Sequence, residues 1–417
     1  MVSDHALALS LLSPKAVRAR TRVLYDAGLD GGLNHFRVHP EKLAAVADYV
    51  VETTRLNYPT LDIPFHARWR HFMAGEQNLW AEIDGATQWE SQAQRGRAAY
   101  DLAICSVLLD AGAGAAWSYR DHKTGLVFSR SEGLGIASLR MFEAGVFSAD
   151  PLDPLRVDGV KLANLTTADL AKGFQVADDN PLVGLEGRLN LLRRLGETVR
   201  ANHMVFASKD RPRPGGLFDY LSAQAQAQTN SKEKTLPASA ILESLLLHFG
   251  VIWPGRTRIG RVSLGDCWKH PLVKTSDATN GLVPFHKLSQ WMAYSLIEPL
   301  QWSGLEVTNI DGLTGLPEYR NGGLFLDGGV ISLRDKGDAA IDHEPGSLLV
   351  VEWRALTVAL LDNTAVKVRQ LLGMDATSLP LAKVLEGGTW AAGRRIARDN
   401  RTGGGPPLSI ISDGTVF

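Results

Sequence analysis

The residues whose types could do chemistry crowd into one stretch, "DGLTGLPEYRNGGLFLDGGV", from Asp311 to Val330. Glu318, Tyr319 and Arg320 stand there between a proline and two glycines. Pro317 turns Leu316 away from helical geometry, and Gly322–Gly323 allow backbone angles closed to other residues. The triplet is therefore expected at a fixed bend, ahead of a short apolar hairpin around Gly328–Gly329, and not on a helix face. A carboxylate held in that way can stabilise a developing cation or take a proton from water. Lys287, at the start of one apolar helix, and Glu352, inside another, are the charges that would join it. A charge carried into an interior loses several kcal/mol of hydration unless it meets a partner. Lys287, Glu318 and Glu352 thus read as one assembly. The purely structural alternative pairs Glu352 with Arg320 or another core arginine.

Two further clusters are polar enough to matter. "IPFHARWRHF" (63–72) alternates Arg68 and Arg70 with aromatics and two histidines. Planar guanidinium groups suit a phosphate or carboxylate, although arginines packed over Trp69 and Phe72 would give the same pattern. "FSRSEGLGIASLRMF" (128–142) puts Glu132 where a hairpin passes into a helix. Either Ser131 caps that helix with Glu132 at its positive end, or the glycines let the backbone approach a ligand whose hydroxyls Glu132 holds. Arg140 is a reserve partner for an anion. Cys267 and His270 in "GDCWKHP" have pair spacing for a metal but no second pair follows, and His66 and His71 lack an acidic neighbour at helical spacing. No metal site is expected. There is no strand-linked G-x-G-x-x-G, phosphate loop or G-x-S-x-G elbow; "GAGAAW" at 112–117 misses both spacing and context.

The elements that must position these groups read mostly as helices. "HPEKLAAVADYVVETT" opens with Pro40 and spaces Leu43, Val46, Ala47 and Val50 on one face. "SQAQRGRAAYDLAICSVLLDAG" and "LEGRLNLLRRLGETVRANHMVF" carry similar stripes. "TLPASAILESLLLHFG" has Thr235 as N-cap and Gly250 as its stop, and "FHKLSQWMAYSLIEPL" is expected to end near Pro299. "GSLLVVEWRALTVALLDNTAVKVRQLLG" is apolar on most sides and belongs at the centre of the core. A hairpin is expected around His122–Gly125. "SKDRPRPGGLF" (208–218) is the expected boundary or lid. It divides the chain into a mainly helical part, 1–210, and a helical part with the Lys/Glu motifs, 211–417, within one compact unit.

Composition removes several function classes. Of 417 residues, 45% are hydrophobic and 21% charged, as in a soluble globular protein. Lys plus Arg is 44 against Asp plus Glu at 45, so no global field draws in nucleic acid or anionic lipid. Two distant cysteines, Cys105 and Cys267, make no disulfide framework and point to a reducing compartment. "ALALSLL" near the start is too short and lacks the basic lead of a signal peptide. Glu352 and Arg354 interrupt the longest apolar run, "SLLVVEWRALTVALL". A cytoplasmic protein follows, with a small-molecule partner and no nucleic acid or membrane.

Taken together, "IPFHARWRHF", "RSEGLG", "LGDCWKHP", "FHKLSQWMAYSL" and "LTGLPEYRNGGLFLDGG" resemble the family of a fungal and bacterial uracil-catabolism protein. That family belongs to the route that opens the uracil ring and releases urea. The resemblance spans nearly the whole chain and implies ribosylurea as the intermediate, with this component splitting it. Trp268 of "LGDCWKHP" joins Arg68, Arg70, Glu132, Arg140, Arg320 and Glu352 as an expected substrate-binding residue.

A second resemblance supplies a mechanism. "FHKLSQ" (285–290), "LTGLPEYR" (313–320) and "VEWRALTV" (351–358) are similar to motifs of the queuosine-salvage N-glycosylases, helical proteins related in fold to helix-hairpin-helix DNA glycosylases. It implies a mainly α fold, a helix-hairpin-helix DNA-glycosylase-like core decorated by small β-hairpins. The active-site lysine and aspartate of that family fall on Lys287 and Glu318, with Glu in place of Asp. Breaking a ribosyl C1–N bond passes through an oxocarbenium-like state that a fixed carboxylate stabilises. Lys287 would keep Glu318 ionised and hold a ribose hydroxyl. Tyr319 and Asp311 are alternative donors to the departing nitrogen. Arg68 to Arg70, with Arg140 behind them, would take a 5-phosphate. Neither cofactor nor metal is required. The alternatives are an amidohydrolase acting on the opened pyrimidine and a non-catalytic ligand-binding protein of the same pathway.

Overall fold

In the computed structural model, residues 3–207, 211–228, 234–253 and 257–411 are described. Residues 208–210 of the expected boundary segment and the end of the tail lie outside them. The molecule is mainly α, with short two-stranded pairs between helices, five antiparallel and two parallel among the described residues. One apolar cluster runs from Ala8 to Leu408 and draws on both halves of the chain.

Its axis is the 25-residue helix Leu348–Leu372. Apolar residues all round make it bury most of its length, and Ser347 Oγ accepts the Val350 N–H at its start. Gly373 closes it at φ 68°, where a side chain would be strained. Helices Pro14–Leu29, Leu43–Asn57 and Tyr319–Asp327 pack around it.

A second layer is built on helix Lys287–Trp302, against which Gln92–Leu108 and Ala238–Phe249 pack. This helix runs past Pro299 instead of ending there. Proline removes the N–H that would reach the Ser295 carbonyl. The Trp69 indole donates to that carbonyl at 2.7 Å, so the break in the ladder is filled and the helix continues.

Other sequence expectations change in register. The hairpin around Gly328–Gly329 is absent: Tyr319–Asp327 is a helix, and Ile331–Leu333 pairs instead with Phe36–Val38. Glu318 caps that helix, and burial of Leu324 and Phe325 holds it down. Gly322 is helical, and its role is close approach, since a Cβ there would lie 2.7 Å from the Trp353 ring. Thr235 is no N-cap but opens strand Thr235–Pro237, paired in parallel with Glu306–Thr308. Ser129, not Ser131, precedes helix Arg130–Glu143. The hairpin expected around His122–Gly125 is present, pairing Tyr119–Arg120 with Val127–Phe128.

Candidate active site

Glu318 sits where its helix starts. Its Oε2 accepts the Arg320 N–H at 2.8 Å and its Oε1 the Asn321 N–H at 2.6 Å. Two backbone donors and the positive helix end fix the carboxylate while leaving lone pairs on both oxygens. Lys287 starts the facing helix. Its backbone N–H donates to Asp266 Oδ2 at 3.0 Å, and Asp266 is held in turn by a bidentate Arg354 at 2.8 and 2.7 Å. His286, just ahead, takes left-handed angles (φ 50°, ψ 34°), a conformation costly for a residue with a Cβ. A contact of its Nε2 with the Leu11 carbonyl at 2.9 Å anchors it. Burial pushes the Lys287 ammonium down, and the Glu318 carboxylate is the largest charge opposing that shift.

Both side chains line one cavity of about 380 Å³, towards the lower end of the range for small-molecule sites. Trp291, one turn along from Lys287, and Trp390 form aromatic walls. The Arg320 guanidinium stacks 4.1 Å from the Trp390 ring. Tyr319, Arg130 and Ser131 complete the polar rim, and Gly112–Ala115 brings backbone up to one side. Asp110 adds a second carboxylate, paired at 3.1 Å with the fully buried Arg68. A ligand here meets cations, carboxylates and ring faces, which suits a small polar molecule that also has apolar faces.

Of the residues singled out in the sequence, Lys287, Glu318, Tyr319 and Arg320 come together on this wall. Arg68 stands behind it, over Trp291 at 5.4 Å and bonded to Ser106 at 2.6 Å. Glu132 also stands behind, accepting from Arg394 at 2.9 Å, with Arg394 against Trp390. The rest lie elsewhere for electrostatic reasons. Asp311 accepts from Arg369 and from the Leu381 N–H, both at 2.6 Å. Glu352 accepts the Asn34 and His35 N–H groups at 3.0 Å and meets His270 at 3.3 Å, so it joins neither Glu318 nor an arginine. Arg70 pairs with Glu298 at 2.8 Å, and Arg140 with Asp121 at 2.7 Å and Glu143 at 2.9 Å. The Trp268 indole donates to Asp266 at 2.7 Å. These groups hold the fold around the cavity.

The span of the sequence that carries these residues is matched from end to end. The profile of the family described as "Protein of unknown function (DUF1688)" covers residues 10–417. The chain belongs to that family. Protein urg3 of Schizosaccharomyces pombe (strain 972 / ATCC 24843) is 39% identical over 417 residues, with 98% of each chain covered. Uracil catabolism protein 4 of Lachancea kluyveri is 38% identical over 437 residues, covering 97% of this chain and 98% of the relative.

Several cavity groups of this DUF1688 chain carry no motif or were set aside on their sequence spacing. His66 and His71 line the wall, and the acidic partner of His66 is Glu386, at 2.7 Å but 320 residues away. "GAGAAW", set aside as no phosphate loop, supplies Gly112 to Ala115. Trp390 and Asp110 carried no motif at all. No helix among the described residues is long and apolar enough to cross a membrane. Both cysteines are buried and free.

Proposed function

We propose that this chain acts in uracil catabolism as an N-ribosyl hydrolase, cleaving the C1–N bond of ribosylurea or its 5-phosphate to give urea and ribose or its phosphate. The name of the Lachancea kluyveri relative supports the pathway, at 38% identity over nearly the whole chain. The observation that carries the reaction is Glu318, a carboxylate fixed by two backbone N–H groups on the wall of the cavity that also holds Lys287.

As the C1–N bond lengthens, positive charge gathers on the ribosyl ring. The Glu318 carboxylate, already oriented, stabilises that charge without reorganising. Water forms the new C1–O bond and gives a proton to Glu318, while the departing nitrogen gains one from a donor. The Lys287 ammonium is suited to hold a ribose hydroxyl, and Trp291 and Trp390 to flank the sugar and the planar ureido group. A 5-phosphate would find Arg130 and Arg320 on the rim, whereas Arg70 and Arg140 are engaged elsewhere.

Purified protein incubated with ribosylurea and, separately, its 5-phosphate is expected to release urea. Glu318→Gln keeps an acceptor for the helix start but no negative charge, and should lower turnover by about 10²–10⁴-fold. Urea release no faster than in that variant sinks the proposal, and tight ligand binding without turnover would favour a binding protein instead.

A further inference from the structure

The two imidazoles on the cavity wall lie between the same tryptophans, yet their partners differ. His66 is centred 6.5 Å from Trp291 and 5.8 Å from Trp390, and His71 lies 5.6 and 6.4 Å from them. His71 Nδ1 faces Arg68 Nη1 at 3.4 Å; because arginine only donates, that nitrogen must accept. Burial first, then Arg68, pushes His71 down to about 4, so it is uncharged at neutral pH. His66 Nδ1 lies 2.7 Å from Glu386 Oε2. Burial raises the Glu386 carboxyl, but the His66 hydrogen bond, with positive charge on that ring and on Arg70, brings it below its ordinary value. Tyr58 O–H donates to the other oxygen at 3.3 Å. Nδ1 of His66 therefore carries a hydrogen, and Nε2 is the nitrogen left to exchange a proton.

The backbone that carries Glu386 is irregular for a reason. Leu385–Thr389 is a π-helical turn between Leu381–Val384 and Trp390–Asn400, a device that concentrates at functional sites. Its Gly388 lies against helix Leu43–Asn57 so closely that a Cβ would stand 2.5 Å from Val50 Cγ1. One extra residue per turn there brings Glu386 to His66 while Trp390 reaches the cavity.

We propose that His66 is the general acid of the reaction and Glu386 the positioning residue that fixes its tautomer, the same division of labour as in carboxylate–histidine pairs elsewhere. This rests on the ribosyl-hydrolase reading above. In the imidazolium form of His66, the proton on Nε2 passes to the ureido group as the C1–N electron pair moves onto nitrogen, leaving the neutral ring with its hydrogen on Nδ1, bonded to Glu386. Water bonds to C1 and its proton goes to Glu318, so one proton leaves His66 and one arrives on Glu318. Exchange with solvent resets both after urea departs. Tyr319 is the competing donor on the same wall.

The test compares wild type, His66→Asn, Glu386→Gln and Tyr319→Phe on ribosylurea and on 4-nitrophenyl riboside, whose phenolate departs without a proton. Asn keeps a donor for Glu386 while removing Nε2. His66→Asn should lower kcat for ribosylurea by about 10²–10⁴-fold and for the aryl riboside by less than about tenfold. Glu386→Gln should show the same selectivity to a smaller degree, in kcat more than in KM, which a purely structural residue would not do. Thermal midpoints accompany each variant, and if His66→Asn does not fold, the Glu386→Gln ratio decides. Equal losses on both substrates, or selectivity in Tyr319→Phe alone, overturn the assignment. A wild-type protein inert to both substrates overturns the hydrolase reading itself, and the acid assignment falls with it.

Discussion

His71 shows how a single buried group ties the cavity to solution conditions. Burial, and then Arg68, disfavour its charged form and push it down to about 4, while Asp110 and Glu132 pull the other way and His66 adds to the repulsion. An unfolded histidine titrates near about 6.5. Between those values the unfolded chain binds a proton that the folded chain refuses. The stability contributed by the neutral ring is therefore complete above about pH 6.5 and is lost as pH falls towards about 4. His71→Gln should flatten the fall in Tm across that window, read by calorimetry in steps of pH. A slope equal to that of wild type would assign the dependence to other groups. Glu318 belongs to the same scale: its type and its place after Pro317 were legible in the sequence, whereas its partners, two backbone N–H groups, required the helix that it caps.

Helix Tyr319–Asp327 shows how an element can be misread while its key residue is read correctly. "RNGGLFLDGG" offers glycines enough for a bend, and intrinsic propensity argues against a helix there. Packing wins, because Gly322 lets the Trp353 ring lie where any Cβ would intrude and the Trp353 indole donates to the Gly322 carbonyl at 3.0 Å. Gly322→Ala sets two effects against each other. Alanine gains up to about 1 kcal/mol in helix propensity, and overpacking against Trp353 costs about 1–3 kcal/mol. Net destabilisation is expected in urea unfolding, with a shifted midpoint and an unchanged slope. A more stable variant would show that the Trp353 ring is free to retreat. The π turn Leu385–Thr389 is the matching case, invisible to a reading based on helical or strand periods because one residue changes the phase.

Across the whole molecule, the Asp266–Arg354 pair joins elements that the chain visits far apart. Asp266 precedes strand Cys267–Lys269, Arg354 belongs to the central helix, and the same carboxylate accepts the Lys287 N–H. Burial raises the Asp266 carboxyl, and Arg354 outweighs it and holds the group well below the usual carboxylate range. Asp266→Asn deprives a buried guanidinium of its counter-charge, which typically costs about 3–5 kcal/mol. It should also lower urea release through Lys287, even in the folded fraction. Denaturation with and without the substitution, alongside the activity of folded protein, measures both. A loss under about 1 kcal/mol would mean that solvent reaches the pair and screens it.

The sequence by itself determined the mainly helical character, several of the longest helices and the Lys287 and Glu318 motifs, because side-chain periodicity and proline geometry act over a few residues. It also gave the near-balance of charge. Only the tertiary structure decided which charge meets which. Glu352 went to His270, Asp311 to Arg369 and Asp110 to Arg68, although each was chemically able to pair otherwise. It also decided that His66 and Glu386, far apart in the chain, share one hydrogen-bonded contact. A buried polar group is committed by the partners that packing leaves within hydrogen-bond reach, and that choice depends on the whole chain at once.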